Sequence, residues 1–175
     1  GRLDHMIALS HIQKGYLLKC LPVPEEKYVV IPNGVDVERF QPRGRNRKLR
    51  AEWGFTDEHF VYGLIGRLDR LKGSMEFIEA AAQIVRRHRQ ARFVLVGGNT
   101  VGEVEFDRQV KARLHELKLD GCVVLTEFRK DIPDVMNAID VFCMPSYEEN
   151  FANVLLEALA SGVASIGTNS GGTPE

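Results

Sequence analysis

Apolar runs and amphipathic stretches alternate along the chain from residue 60 to its end. The runs lie at 60–65, 92–96, 123–128, 141–144 and 163–166. Each run is apolar throughout rather than at every second position, which is typical of strands covered on both faces of a parallel sheet. The stretches between them predict helices at 74–89, 103–119, 131–139 and about 151–162. We therefore predict an α/β fold, a Rossmann-like parallel sheet with helices on both faces.

The predicted helices begin at residues that favour N-caps. Ser74 and Asp131 open two of them, and Pro133 is tolerated in a first turn. Asn150 precedes the helix near 151–162 in the same way. The unpaired N–H groups at the start of that helix would attract an anion.

The helix near 151–162 is apolar on nearly all sides, which predicts that most of it is buried. Its polar residues form a narrow stripe at helical spacing, Asn153, Glu157 and Ser161. A buried carboxylate is costly without a partner, so Glu157 either meets a protein donor or lines a cleft.

Glu149 and Glu157 flank the start of this helix and invite three interpretations. A general acid–base pair is disfavoured, because Glu157 lies about two turns into the helix and Glu149 precedes it. Either both are ordinary structural acids, or both accept hydrogen bonds from the hydroxyl groups of a polyol ligand.

The first 58 residues carry weaker patterns. A short apolar run at 6–9 and a mixed helix at 11–21 precede a strand-like run at 28–31 and a Pro-Asn-Gly turn. Residues 41–50 are polar and hold a cluster of cations that we interpret as a solvated linker, namely Arg43, Arg45, Arg47, Lys48 and Arg50.

Glycines and charged residues follow the predicted strands, at the edge where α/β sheets bind ligands. Gly66, Arg67 and Lys72 follow the strand at 60–65, and Arg129 follows the strand at 123–128. Arg67 and Lys72 could bind phosphate oxygens, or both could be ordinary surface cations. Their spacing fits neither a P-loop nor a dinucleotide-binding glycine motif.

Composition excludes several classes of function. A net charge of -1 gives no electrostatic argument for nucleic-acid binding, and no apolar run is long enough to span a bilayer. The 3 cysteines and 5 histidines are scattered without metal-ligand spacing, so we predict no metal site. Unpaired thiols favour a reducing compartment, and we expect a cytoplasmic protein.

Several motifs together resemble glycosyltransferase family 4, in particular the C-terminal, nucleotide-sugar-binding domain of its GT-B fold. They are VIPNGVD at 30–36, GRLDRLKG at 66–73, VLVGG at 94–98, FRKDIPDVMNAIDVFCMPS at 128–146, ENFANVLLEALASG at 149–162 and SGGTPE at 170–175. Each motif is weak alone. Their order and joint spacing carry the resemblance over nearly the whole chain.

The resemblance implies an enzyme that transfers a sugar from a nucleotide diphosphate sugar to a glycan, lipid or small-molecule acceptor. It also implies retention of anomeric configuration and no required metal or other cofactor. Arg67 and Lys72 would bind the donor diphosphate, Glu157 the ribose and Glu149 the donor sugar; Arg67, Lys72 and Glu149 would carry the catalysis. The remaining implied donor-binding residues are Gly66, Arg129, Asn150, Phe151, Ala152, Asn153 and Val154.

The resemblance further implies a division into domains. Residues 1–32 would be the tail of an N-terminal domain that binds the acceptor, 33–58 a hinge and linker, and 59–175 the nucleotide-sugar-binding domain, truncated at its C-terminus. We then expect an unpaired apolar edge at 6–9. This chain alone should bind nucleotide weakly and not transfer sugar, and the whole enzyme is compatible with peripheral membrane association.

One departure from the family pattern lies in the implied site, where Ala152 replaces a common glycine and should bring a methyl group towards the ligand. Two other functions remain open. An epimerase or hydrolase of nucleotide sugars with the GT-B fold would share the sheet and the phosphate loop. A non-catalytic scaffold that binds sugar nucleotides would keep its partner function without Glu149.

Overall fold

The computed structural model describes residues 3–98 and 104–175. Its elements are β1 (Met6–Ala8), α1 (His11–Cys20), β2 (Tyr28–Val30), α2 (Arg47–Glu52), β3 (Phe60–Ile65), α3 (Ser74–Arg87), β4 (Ala91–Val96), α4 (Val104–Glu116), β5 (Val123–Thr126), α5 (Ile132–Met136), β6 (Val141–Met144), α6 (Asn153–Ala160) and β7 (Ala164–Gly167). Short 3-10 turns occupy Glu25–Lys27 and Arg70–Lys72. The predicted helix start at residue 103 lies outside the described residues.

Five parallel strands form the main sheet in the order β5-β4-β3-β6-β7. The chain starts in the middle with β3, adds β4 and β5 on one side, and returns to add β6 and β7 on the other. Tyr62 of β3 is in register with Val141 of β6, and Gly63 with Phe142. This reversal between β3 and β6 is the kind of switch point at whose strand ends α/β sheets bind ligands.

Both faces of the sheet are packed, which confirms the predicted fold class. Along β4, Val94 and Val96 belong to a core covered by α2, α5 and α6, whereas Phe93 and Leu95 belong to one covered by α3 and α4. Burial on both faces explains why the runs are continuously apolar. Two predicted strands have the predicted bounds, and the other three differ by one or two residues at an end.

The predicted N-cap at Ser74 is wrong, because Ser74 is the first residue of α3 and Gly73 occupies the cap position. Gly73 has a φ of 70°, a conformation that disfavours any side chain. A Cβ atom there would lie 2.1 Å from the carbonyl oxygen of Pro145, which follows β6. The loop before α3 therefore touches the loop after β6 through backbone atoms.

The predicted cap at Asn150 is also wrong, whereas Asp131 occupies its predicted cap position. Helix α6 begins at Asn153 rather than near 151, so Asn150 does not cap it, and no side chain does. Asp131 occupies the cap position of α5, but its carboxylate accepts hydrogen bonds from Arg129 instead of from a helical N–H group. Helix α5 also ends at Met136, before the predicted end at 139.

Helix α6 is less buried than its apolar sequence predicts. Ala158 is fully buried, most other residues of the helix are half-buried, and Leu159 is exposed. The helix packs on β6, β7 and α5, and β7 is the edge strand of the sheet. One side of α6 therefore stays open to solvent.

The opening segment pairs with itself. β1 and β2 form a separate two-stranded parallel sheet in which Met6 is in register with Tyr28 and Ala8 with Val30. The predicted unpaired edge at 6–9 is therefore wrong, because the strand at 28–30 supplies its partner.

Glu175 joins this small unit to the main sheet. Its carboxylate accepts the N–H groups of His11 and Ile12, the first two residues of α1, at 2.8 and 2.9 Å. These bonds lower the pKa of Glu175, because they favour the charged carboxylate. A second connection runs from the Asn33 amide to the carbonyl oxygen of Phe151 at 3.2 Å.

The interpretation of 41–50 as a solvated linker is wrong at Arg50, which belongs to α2 and is 1% exposed. Its guanidinium donates to the carbonyl oxygen of Ala138 at 2.8 Å and pairs with the Asp140 carboxylate at 2.7 Å. Asp140 also accepts the N–H of Val61 at 2.7 Å. Arg50 thus ties α2 to the start of β3 and to the turn before β6.

We expect Arg50→Ala to lower the free energy of unfolding by about 3 kcal/mol, because it leaves the largely buried carboxylate of Asp140 without this partner. The value lies at the low end for a broken buried pair, since Arg45 also contacts Asp140 at 2.9 Å. Urea denaturation measures the difference, provided that the dependence of the unfolding free energy on urea concentration is the same in both proteins.

The matched control is Arg47→Ala in the same helix. Arg47 pairs with Asp57 in a largely exposed position, so its loss should cost about 1 kcal/mol or less. Equal losses for the two variants would contradict a buried role for Arg50.

Candidate active site

Two cavities open at the switch point between β3 and β6. One of about 150 Å³ lies between the end of β3 and α6, and its charged lining residues are Lys72, Glu149 and Glu157. The other, of about 470 Å³, lies between the ends of β3 and β4 and the segment 128–132. Both share Ile65 and Gly66 in their walls, so they adjoin, and we refer to them together as the cleft.

The loop after β3 brings two cations to this cleft. Asp69, itself buried, accepts the backbone N–H of Lys72 at 3.1 Å and so fixes the 3-10 turn. The Lys72 ammonium then forms an ion pair with the Glu149 carboxylate. Arg67 contacts Asp69 at 3.3 Å, but 65% of its side chain is exposed, which leaves guanidinium donors available to a ligand.

Glu149 is held in place by the glycine loop after β7. Gly172 donates its N–H to the carbonyl oxygen of Glu149 at 2.8 Å. A Cβ atom at Gly171 would lie 1.8 Å from that same oxygen, and its φ is 53°, so this position requires glycine. The Glu149 side chain is 11% exposed, and its carboxylate is therefore positioned before any ligand arrives.

Tyr147 connects the loop after β6 to the loop after β3. Its backbone N–H donates to the carbonyl oxygen of Leu71 at 2.9 Å, and its hydroxyl donates to the Glu76 carboxylate at 2.6 Å. This hydrogen bond raises the pKa of Tyr147, because it stabilises the protonated phenol. The connection braces the segment that carries Glu149 against the loop that carries Lys72.

Sequence reasoning missed both Asp69 and Tyr147. Asp69 had a local signal, because an aspartate three residues before Lys72 commonly closes a turn through its side chain. Tyr147 had none, since its hydroxyl partner Glu76 is 71 positions away.

Glu157 is half-buried in α6 and faces the smaller cavity. Burial raises the pKa of Glu157, and the nearby charge of Arg39 acts in the opposite direction. Within residues 3–98 and 104–175, its carboxylate has no hydrogen-bond donor. Of the two predicted alternatives for this carboxylate, the structure places it at a cleft rather than against a protein donor.

The start of α6 presents backbone donors near the same cavity. Among the described residues, the N–H groups of Asn153 and Val154 have no acceptor, as is usual for the first turn of a helix. Asn150 and Asn153 are exposed, and Phe151 uses its carbonyl to hold Asn33. The first helical turn could therefore bind an anion.

Ala152 has a φ of -78°, and its methyl group packs against the core on the α5 and α6 side of the sheet. This backbone conformation is open to any residue, so glycine is not required here. The replacement of the family's common glycine is accommodated by ordinary packing.

The larger cavity combines apolar walls with a charged rim. Phe128 and Ile132 line it together with Gly97 and Gly98. Arg129 also lines it, but its guanidinium is held by Asp131 at 2.7 and 2.9 Å and by Glu52 at 2.5 Å. These bonds keep the pKa of Asp131 below its usual value, because they favour the charged carboxylate.

No group of three or more His, Cys, Asp or Glu side chains suited to a metal ion occurs in the described ranges. Among the helices of those ranges, none is long and apolar enough to cross a membrane.

A doubly covered parallel sheet with a charged cleft at its switch point defines a doubly wound, Rossmann-like α/β domain with a ligand site at the carboxyl ends of its strands. Residues 59–175 match the family described as glycosyl transferases group 1. This match covers more than half of the chain, which therefore belongs to that family.

Two curated relatives indicate how far the similarity extends. The D-inositol 3-phosphate glycosyltransferase of Corynebacterium jeikeium is 36% identical over 153 residues, 83% of this chain and 36% of the relative. The UDP-Gal:alpha-D-GlcNAc-diphosphoundecaprenol alpha-1,3-galactosyltransferase of Escherichia coli is 33% identical over 171 residues, 95% of this chain and 43% of the relative. The chain thus spans less than half the length of either.

Solved structures agree with this assignment. The crystal structure of Anabaena HepE in complex with UDP and glucose superposes with a TM-score of 0.90 at 29% identity, over 98% of this chain and 46% of that one. The C-terminal domain of a glycosyl transferase group 1 protein from Francisella tularensis gives a TM-score of 0.72 at 29% identity, over 81% of this chain and 74% of that one.

We expect Glu157→Gln to raise the free energy of unfolding at neutral pH. A carboxyl whose pKa is raised by burial disfavours the folded state when it is charged, and an amide avoids that penalty. The gain should shrink as pH falls through the raised pKa of Glu157, because the wild-type side chain is then protonated in the folded protein. Thermal melts from neutral to acidic pH measure this.

Glu148→Gln, an exposed change in the preceding loop, serves as the control and should alter stability little. A Glu157→Gln protein that is less stable than the wild type at neutral pH would show that the carboxylate is stabilised where it lies.

Proposed function

We propose that this chain is the donor-binding part of a retaining glycosyltransferase that moves a sugar from a nucleotide diphosphate sugar to a glycan, lipid or small-molecule acceptor. One observation carries the proposal: Lys72, Glu149 and Glu157 line one cavity at the switch point, beside the exposed guanidinium of Arg67. Relatives named as glycosyltransferases and a similar structure holding UDP and glucose support it.

In this proposal the donor diphosphate binds between the two cations and the start of α6. Arg67 offers a planar fork of donors, and Lys72 offers a point charge. The unpaired N–H groups of Asn153 and Val154 add the positive end of a helix dipole. Together these groups match an anion that has several oxygens.

The two glutamates then have different ligands. Glu157, half-buried and without a protein donor among the described residues, accepts hydrogen bonds from the ribose hydroxyls. Glu149, fixed by the glycine loop, accepts hydrogen bonds from the hydroxyls of the donor sugar. The base occupies the larger cavity, where Phe128 and Ile132 offer apolar surface and Arg129 forms the rim.

During transfer the bond between the anomeric carbon and the diphosphate oxygen breaks, and a bond forms from that carbon to the acceptor oxygen. The electron pair of the broken bond stays on the diphosphate oxygen, which takes up the proton that the acceptor hydroxyl loses and then releases it to water. Arg67, Lys72 and the start of α6 stabilise the charge that develops on the leaving diphosphate. We propose that no metal is required, because these groups supply the positive charge.

The proposed division of the chain follows the same scheme. Residues 1–32 are the tail of a domain that carries the acceptor site, 33–58 are a hinge and linker, and 59–175 bind the donor. The greater length of the curated relatives supports a second domain in the whole protein. We propose a cytoplasmic location, which suits the free thiols of Cys20, Cys122 and Cys143.

We expect Arg67→Ala and Lys72→Ala each to weaken binding of a nucleoside diphosphate by about 1–3 kcal/mol, through loss of a charge-assisted hydrogen bond. Calorimetric titration with UDP, GDP and ADP measures the change and also identifies the base.

Arg70→Ala is the matched control. Arg70 lies in the same 3-10 turn as Lys72. Its guanidinium contacts Gln109 at 2.9 Å and the ring of Phe106 instead of the cleft. Its loss should leave the affinity unchanged. Unchanged affinity in both the Arg67 and the Lys72 variants would remove the phosphate assignment.

A further inference from the structure

Carboxylates lie among the cations of the cleft. Glu149 and Glu157 line the smaller cavity with Lys72, and Asp69 contacts Arg67 beside it. Asp69 contacts Arg67, and Glu149 is paired with Lys72, so each cation is already partly compensated by the protein. Asp69 is explained by the turn that it closes, so Glu149 is the acid that a site built only to capture a polyanion would not need.

Glu149 is the acid that forms the ion pair with Lys72. The Lys72 side chain is 25% exposed and that of Glu149 is 11% exposed, so water screens the pair only in part. The backbone of Glu149 cannot move away easily, because the Gly172 N–H holds its carbonyl oxygen and Gly171 packs against the same atom. A ligand that needs Lys72 must therefore share it with a fixed negative charge.

The donor and the product that it leaves behind differ in charge at this point. In a nucleotide diphosphate sugar the terminal phosphate is esterified and carries one negative charge. In the free nucleoside diphosphate the same phosphate is a monoester, whose second ionisation has a pKa of about 6. At neutral pH the product therefore carries an additional charge where the sugar was attached.

We propose that Glu149 is a specificity-determining residue that selects the sugar-bearing donor over the free nucleoside diphosphate. It accepts hydrogen bonds from the sugar hydroxyls of the donor, and it repels the additional charge of the product. Release of the product after transfer is thereby favoured. This inference depends on the proposed function, since it places a diphosphate beside Lys72.

The test compares the affinities of three probes for the full-length protein: UDP, the methyl ester of UDP at its terminal phosphate, and UDP-glucose. The GDP or ADP counterparts replace them if those bases bind more tightly. Glu149→Gln keeps the shape of the side chain and removes its charge. The methyl ester carries the donor's charge without its sugar, so it separates the charge effect from the sugar contacts.

We expect Glu149→Gln to tighten UDP binding by about tenfold, less than a fully buried like-charge contact would cost, because the Lys72–Glu149 pair is partly exposed. The methyl ester, which carries one negative charge fewer, should gain clearly less than UDP, and UDP-glucose should gain no more than the methyl ester. Steady-state inhibition by UDP should strengthen in the same proportion. Glu149→Ala is a second variant in case the first does not fold, and it should tighten UDP binding as well.

Glu148→Gln is the charge-matched control, since it removes one negative charge from the adjacent exposed residue. It should leave all three affinities unchanged. An equal gain for UDP and its methyl ester in the Glu149 variant would overturn the inference, because selection by product charge requires a difference between them.

The outcomes also separate this inference from the proposed function. If Lys72→Ala weakens UDP binding while Glu149→Gln does not tighten it, the donor site stands and the role of Glu149 as a selector is wrong. If neither Lys72→Ala nor Arg67→Ala affects UDP binding, the diphosphate does not bind here, and both the proposed function and the inference fail.

Discussion

The pairing of β3 with β6 is the constraint on which the rest of the site depends. The register between Gly63 and Phe142 sets the loop after β3 beside the loop after β6. One loop carries Lys72 and the other carries Glu149, so neither the ion pair nor the smaller cavity exists without this pairing. A sheet with its strands in chain order would place two strands between β3 and β6 and set them about 14 Å apart at the usual spacing.

Charged residues in this chain stabilise the fold or serve the site according to whether the protein satisfies them. Arg50 is buried with a carboxylate and a carbonyl oxygen, and it holds α2 against the sheet. Glu157 is half-buried without a donor among the described residues, which costs stability. Arg67 extends into solvent at the cleft. Glu157 and Arg67, which the protein satisfies incompletely, both lie at the switch point, as is usual where ligands bind.

Local sequence patterns predicted the strands and most helices, because burial of a strand on both faces makes its sequence apolar at every position. Strand ends then predicted which cations and acids share an edge. Local patterns could not predict the order of the strands, the burial of Arg50 or the contact between Tyr147 and Glu76. Each depends on groups some 70 to 90 positions apart, and no local spacing records such a contact. The capping errors at Ser74 and Asn150 have the same cause, since neighbouring loops decide those helix starts.

The last five residues connect the candidate site to the small unit of β1, α1 and β2. Gly171 and Gly172 hold the backbone of Glu149, and Glu175 accepts two N–H groups at the start of α1. A displacement of α1 relative to the main sheet must therefore either break the bonds to Glu175 or pull on the loop that positions Glu149. Because the pKa of Glu175 is lowered, this connection is intact at neutral pH and weakens as pH falls through that lowered value. The position of Glu149 is thus tied to the placement of α1 through the glycine loop and the carboxylate of Glu175.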